Sequence, residues 1–225
     1  MKPNSVIIFL SVILGIASCS IGKKQDNLLQ YVNPFIGTTY TGHTFPGAAY
    51  PFGMVQPGPQ TGNFQWEYCA GYRYEDEQIW GFTQDRLNGT GITDMGDILM
   101  MPFSGSSFSA DFKSRFVKDT ETATPGYYGV SLTDNRVDVR LTCSPHVAMH
   151  QYRFTADDAA VYIDFQSGSV SSEQEYYTRV LAADIQIEDN HTISGKMRIQ
   201  RWVERDLCFV ITFDKVFKST DTIPS

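Results

Sequence analysis

A hydrophobic alternation with a period of two residues runs through the second half of the chain and constrains the fold more than any other feature. Val137, Val139, Leu141 and Cys143 fall on one side of an extended backbone, and Asp138, Arg140 and Thr142 on the other. Val161, Ile163 and Phe165 alternate with Tyr162 and Asp164, and Ile185 and Ile187 with Asp184, Gln186 and Glu188. Leu207, Phe209, Ile211 and Phe213 repeat at every second position. Successive side chains leave a strand on opposite faces, so this period marks strands with one face in a core. Turn-forming strings separate the runs: Thr133-Asp134-Asn135, Ala156-Asp157-Asp158, Asp189-Asn190-His191 and Ser194-Gly195. The third of these predicts a hairpin. Residues 31–105 carry short apolar runs between Gly, Pro and aromatic residues, with no helical period. About ten short strands without a long amphipathic helix predict an all-β fold, an antiparallel β-sandwich.

Composition bounds the function. A length of 225 residues suits one large β domain, and 42% hydrophobic residues are enough to exclude global disorder. With 25 acidic against 18 basic residues the net charge is −7, which argues against nucleic acid as a partner, because phosphate contacts need a basic face. Four cysteines are too few for a disulfide scaffold.

Residues 1–18 read as a signal peptide. Lys2 precedes an apolar run, Val6 to Ile16, too short for the roughly 20 residues of a membrane-spanning helix. Ile16-Ala17-Ser18-Cys19 resembles the bacterial lipobox. That resemblance implies cleavage before Cys19, lipidation of Cys19, and a polar tether through residue 30. Membrane contact is then expected only through the lipid anchor, and the location is the cell envelope, on its periplasmic or outer, cell-surface face. Removing 18 of the 225 residues leaves 207. The remaining cysteines, Cys69, Cys143 and Cys208, allow at most one disulfide.

Several motifs reduce to ordinary structure. Gly89-Thr90-Gly91 has Asp94 where a dinucleotide fingerprint needs its third glycine. Asp94-Met95-Gly96-Asp97 lacks the further ligands of a calcium loop and reads as a turn. His146 and His150 would share a side of a strand, but no third ligand accompanies them, so no metal site is assigned. The Asn88 and Asn190 sequons are read as coincidence. Residues 64–74 (FQWEYCAGYRY) hold five aromatics. Such rings present flat apolar faces with polar edges, suited either to sugar C–H faces or to a sandwich core.

Several strings together carry a resemblance to one family: YVNPFIG at 31–37, GHTFPGA at 42–48, PFGMVQP at 51–57, Trp66, Ala70-Gly71-Tyr72, LNGTG at 87–91 and GDILMMP at 96–102. Their order and spacing resemble the N-terminal domain of glycoside hydrolase family 92, here over residues 31–225. The resemblance implies a supersandwich-like β-sandwich from a bacterial, calcium-dependent exo-α-mannosidase that inverts the anomeric centre. Family members remove terminal α-linked mannose from N-glycans and mannans. Their general acid, general base and most calcium ligands come from a larger (α/α)6 barrel that follows in the same polypeptide. No catalytic residue and no calcium ligand is therefore expected in this chain. His43, Thr44, Phe45, Trp66, Glu67, Tyr68 and Cys69 are the positions it places near the mannose-containing glycan, with Trp66 on the leaving-group side.

One departure stands out. Thr83-Gln84-Asp85-Arg86 occupies a position where many members carry a His-containing string, and it puts a permanently charged fork in place of an imidazole. The expectation is a lipid-anchored partial α-mannosidase that supplies part of a mannose site and is inactive alone. The alternatives are a non-catalytic glycan-binding lipoprotein, with Trp66, Tyr68 and Tyr72 exposed, and an assembly module with an apolar face open to solvent.

Overall fold

The structure is a computed structural model that describes residues 27–62, 66–105, 112–167, 179–201 and 204–223. The signal segment and Cys19 lie outside them. The chain divides into two compact units, Met1–Tyr31 and Val32–Ser225. In the first, the described residues form a single 3-10 turn, Leu28–Tyr31.

The second unit is built from antiparallel sheets. One sheet has the order β1-β3-β4-β10, formed by Gly58–Gln60, Gly81–Thr83, Leu99–Ser104 and Ala159–Asp164. A second has the order β6-β7-β8-β9, formed by Thr122–Thr124, Tyr127–Leu132, Val137–Cys143 and Ala148–Phe154. A third is the meander β11-β12-β13, formed by Arg179–Ile187, Thr192–Gln200 and Glu204–Thr212. A short ladder pairs β2 (Gln78–Ile79) with β5 (Ser114–Arg115). No helix among the described residues is long and apolar enough to cross a membrane.

The first sheet is packed on both faces. Phe82, Met101 and Tyr162 join Tyr128, Val130, Leu132, Val137, Val139 and Leu141 of the second sheet in one core cluster. Met100, Val161 and Ile163 join Met197, Ile199, Ile185, Leu207 and Phe209 of the third sheet in another. Adjacent residues of β4, Met100 and Met101, thus feed opposite cores, as the two faces of a strand require. A strand covered on both sides is apolar throughout rather than alternating, which is why Leu99 to Met101 read as a plain hydrophobic run.

The outer strands follow the expected alternation. Along β8, Val137, Val139 and Leu141 are buried while Asp138, Arg140 and Thr142 are exposed. Asp189-Asn190-His191 makes the β11–β12 hairpin, with the Asp189 carboxylate accepting from the His191 amide at 2.7 Å. Two local expectations fail. Ser194-Gly195 is not a turn but lies inside β12, where Ser194 pairs with Gln186 and Val210. Ile187, expected on the apolar face of its strand, stays exposed at the end of β11. Cys69, Cys143 and Cys208 are all free thiols.

The histidines of the expected strand pair separate. His146 sits exposed in the bend before β9, while His150 points inward and ties the first two sheets together. Its Nε2 lies 2.8 Å from Gln84 Oε1 and its Nδ1 2.7 Å from the Tyr152 hydroxyl. Gln84 Nε2 donates to the Phe82 and Ile98 carbonyls, both at 3.1 Å. Gln84 Oε1 is therefore the acceptor, His150 carries its proton on Nε2, and Nδ1 accepts from Tyr152. Burial pushes the imidazole pKa down to about 4. The folded value lies below the unfolded value of about 6.5, so this contribution is complete above pH 6.5 and disappears as pH falls toward 4. Melting curves between pH 7.5 and 4.5 should show a loss that is markedly smaller in His150→Asn. Equal slopes for the two proteins would remove His150 as the cause.

Candidate functional site

Three loop segments converge at one edge of the second unit. His43 adopts a left-handed backbone (φ 56°), a conformation that costs a non-glycine residue energy and persists only when its surroundings impose it. Its carbonyl accepts a 2.6 Å hydrogen bond from the Gly89 amide. This bond anchors the 42–45 loop to Asn88-Gly89-Thr90, and Asn88 in turn donates to Gln56 at 3.0 Å. Trp66 opens the short 3-10 turn Trp66–Tyr68. The Trp66 and His43 rings meet edge to face, with centroids 5.0 Å apart and an interplanar angle of 89°. Trp66 Nε1 would lie 3.5 Å from a side chain placed on Gly91, which shows how closely the third segment approaches.

The chemistry of this corner is that of an amphipathic ligand. Trp66 is 57% exposed, and an exposed indole face is suited to stack on a sugar's C–H face. Beside it, His43 Nε2 is buried without a hydrogen-bond partner among the described residues. A buried ring nitrogen in that state lacks the partner that such groups normally have.

The other expected residues are placed differently. The Thr44 hydroxyl donates to the Ile36 carbonyl at 2.9 Å. The Phe45 ring fills the space that side chains on Gly47 and Gly58 would need, so it faces the protein interior. Glu67 is exposed. The Tyr68 hydroxyl is bonded to Asp76 at 3.2 Å, and Arg73 lies over its ring. Cys69 is buried, its thiol donating to the Trp66 carbonyl at 2.9 Å, and burial raises its pKa. It holds the turn that presents Trp66. Tyr72 is 2% exposed, which corrects its expected place on a binding surface. Its hydroxyl donates at 2.9 Å to Glu121, which also accepts from Tyr128 at 2.7 Å and Lys118 at 3.0 Å. Burial first, and the Glu121 carboxylate second, push the Tyr72 pKa well above its usual value, so it remains a donor.

Behind the loops lies a buried polar cluster that sequence reading missed. Arg205 on β13 donates to Asp94 at 3.1 Å and to Asp97 at 2.8 Å. Asp85 accepts from the Gly96 and Asp97 amides at 2.9 and 2.7 Å. Burial, reinforced by the Asp97 carboxylate, raises the Asp85 pKa to about 8 against the bond from the Asp97 amide. These contacts clamp a strained segment in which Met95, Gly96 and Ile98 all have positive φ. For a β-branched residue such as Ile98 that conformation is a true outlier. Arg86 turns inward rather than toward the ligand corner. It is hydrogen-bonded to Thr83 at 2.5 Å and to Gln60, and it packs where a side chain on Gly71 (φ 74°) would stand. No signal links residues 94 and 205 in the sequence. Among the described residues no three His, Cys, Asp or Glu side chains group as metal ligands, and Arg205 engages Asp94 and Asp97. The described residues, with an arginine already on both of these carboxylates, do not fit a calcium site.

The glycosyl hydrolase family 92 N-terminal domain matches residues 31–225. The chain belongs to family 92. A GH92 α-mannosidase from Bacteroides thetaiotaomicron has a similar structure, with TM-score 0.78 and 30% identity over 86% of this chain. A GH92 inverting mannosidase from the VPI-5482 strain of that species is similar at TM-score 0.62 and 25% identity over 80% of this chain. A secreted glycosidase of Arthroderma benhamiae is 27% identical over 156 residues, 65% of this chain. This family 92 chain spans 26% and 23% of the two bacterial structures and 20% of the fungal relative.

Proposed function

We infer that this chain forms the N-terminal β-sandwich of a family 92 α-mannosidase and supplies one wall of its mannose pocket. The observation that carries this function is the exposed Trp66 indole beside the uncommitted His43 Nε2. Trp66 stacks on the sugar and excludes water from one side, and His43 hydrogen-bonds a hydroxyl and orients it. Inverting hydrolysis needs one carboxylic acid to protonate the leaving oxygen and one carboxylate to activate water. We assign both, and calcium, to the (α/α)6 barrel in the part of the relatives beyond this chain. The loop at residues 50–54 meets Pro145, whose carbonyl accepts from the Met54 amide at 2.9 Å. It leaves Tyr50, Phe52, Met54, Val147 and Met149 exposed, an apolar strip suited to the barrel's surface. The mature protein is anchored at the cell envelope through a lipid on Cys19.

By itself the chain should not turn over aryl α-mannosides or α-linked mannobiose, with or without calcium. Sustained release of mannose by the purified chain would sink the assignment of acid and base to the barrel. The exposure of Trp66 also favours a second function, a non-catalytic mannoside-binding module. Calorimetry against yeast mannan should then show weak binding that Trp66→Ala reduces; retention of full heat in that variant would remove Trp66 from the site.

A further inference from the structure

The outward face of the β6–β8 sheet carries a groove of about 190 Å³ that shares no residue with the His43–Trp66 corner. Gly129, in the middle of β7, pairs with Thr122 on one side and Arg140 on the other. A glycine inside a strand often marks a close approach to its backbone. Here the Tyr127 and Thr122 hydroxyls take the room its missing side chain leaves and form the floor of the groove, at 2.8 and 3.1 Å from where a Cβ would stand. The Ser131–Asp138 pair closes the far end, with Ser131 Oγ donating to Asp138 Oδ1 at 2.7 Å.

The groups that converge there are largely uncommitted. Asp138 offers its second oxygen. The Thr122 hydroxyl, the Tyr127 hydroxyl and the Arg140 guanidinium have no side-chain hydrogen bond or ion pair among the described residues. Asp138 and Arg140 stand two residues apart on one face of β8, so their charges offset. An anion would meet the carboxylate and a cation the guanidinium. A neutral ligand with adjacent hydroxyls satisfies both, since one hydroxyl donates to Asp138 while its neighbour accepts from Arg140. We propose that the outer face of β6–β8 is a second glycan-binding site, taking one neutral pyranose unit through its vicinal hydroxyls. A groove this shallow binds a single sugar weakly, and it gains from a polymer that engages several sites at once. The site does not depend on the function assigned to His43 and Trp66.

Affinity electrophoresis of the purified chain through gels containing yeast mannan, dextran or polygalacturonate tests the site. Calorimetry with methyl α-D-mannopyranoside measures the single unit. The neutral polymers should retard the wild type and polygalacturonate should not. Arg140→Ala and Asp138→Ala remove exposed side chains, so their melting temperatures should stay close to wild type. Each should weaken retardation about tenfold, the worth of a hydrogen bond to a charged group. Trp66→Ala separates the two sites: retardation that survives Trp66→Ala but falls on adding Arg140→Ala belongs to the groove. Wild-type retardation in both groove variants, no retardation of the wild type by a neutral polymer, or stronger retention on polygalacturonate would each overturn the proposal.

Discussion

Arg205→Ala should lower the stability of the domain by about 3–5 kcal/mol, because it removes one partner of a buried charge group and leaves the other behind. Asp97 is the carboxylate most exposed to that loss, since only 1% of its side chain reaches solvent. Arg205 reaches Asp94 and Asp97 together with its two terminal nitrogens, a fork that lysine cannot reproduce. Arg205→Lys should therefore fall between wild type and Arg205→Ala. The double variant Arg205→Ala/Asp97→Asn should recover part of the loss, because it removes the stranded charge. Thermal or urea unfolding measures all four proteins. For a domain of this size a loss of this kind corresponds to roughly 8–15 °C in melting temperature. A shift within about 1 kcal/mol of wild type for Arg205→Ala would place the clamp among exposed ion pairs of little worth.

Phe82→Ala should cost a similar amount, about 3–5 kcal/mol, through lost burial and the cavity left behind. Phe82 is fully buried, next to Tyr128 at a centroid distance of 6.4 Å, in the core between the first and second sheets. Phe52→Ala is the matched control. Phe52 is 98% exposed, so its replacement should stay within about 0.5 kcal/mol. Urea midpoints of the two variants should separate clearly. Equal midpoints would mean that the core between these sheets does not carry the stability that its burial implies.

The two phenylalanines show what was legible in the chain. Gly81-Phe82 and Pro51-Phe52 both sit in short apolar strings between turn residues. Nothing local tells them apart. The strands themselves were readable wherever one face is polar, as along β8. Β4 was readable only as an apolar run, since a strand with a core on each side has no alternation to detect. Ser194-Gly195 was misread because a small polar residue followed by glycine carries a turn signal even inside a strand, and cross-strand pairing overrides it.

The candidate site divides in the same way. The strings that hold His43 and Trp66 were visible, yet their edge-to-face contact depends on the Gly89 amide reaching the His43 carbonyl across 46 positions of the chain. Thr44 and Phe45 are neighbours of His43, but the Thr44 hydroxyl is spent on the Ile36 carbonyl and the Phe45 ring packs against Gly47 and Gly58. The sequence by itself determined the strand periodicity, the hairpin at Asp189 and the family. These depend on neighbouring residues and on strings in a fixed order. Only the tertiary structure decided which sheet lies between the other two, which aromatics are buried, and that Arg205 closes on Asp94 and Asp97. Those are contacts between distant segments, and a pattern of period two specifies which face of a strand is apolar without specifying what will cover it.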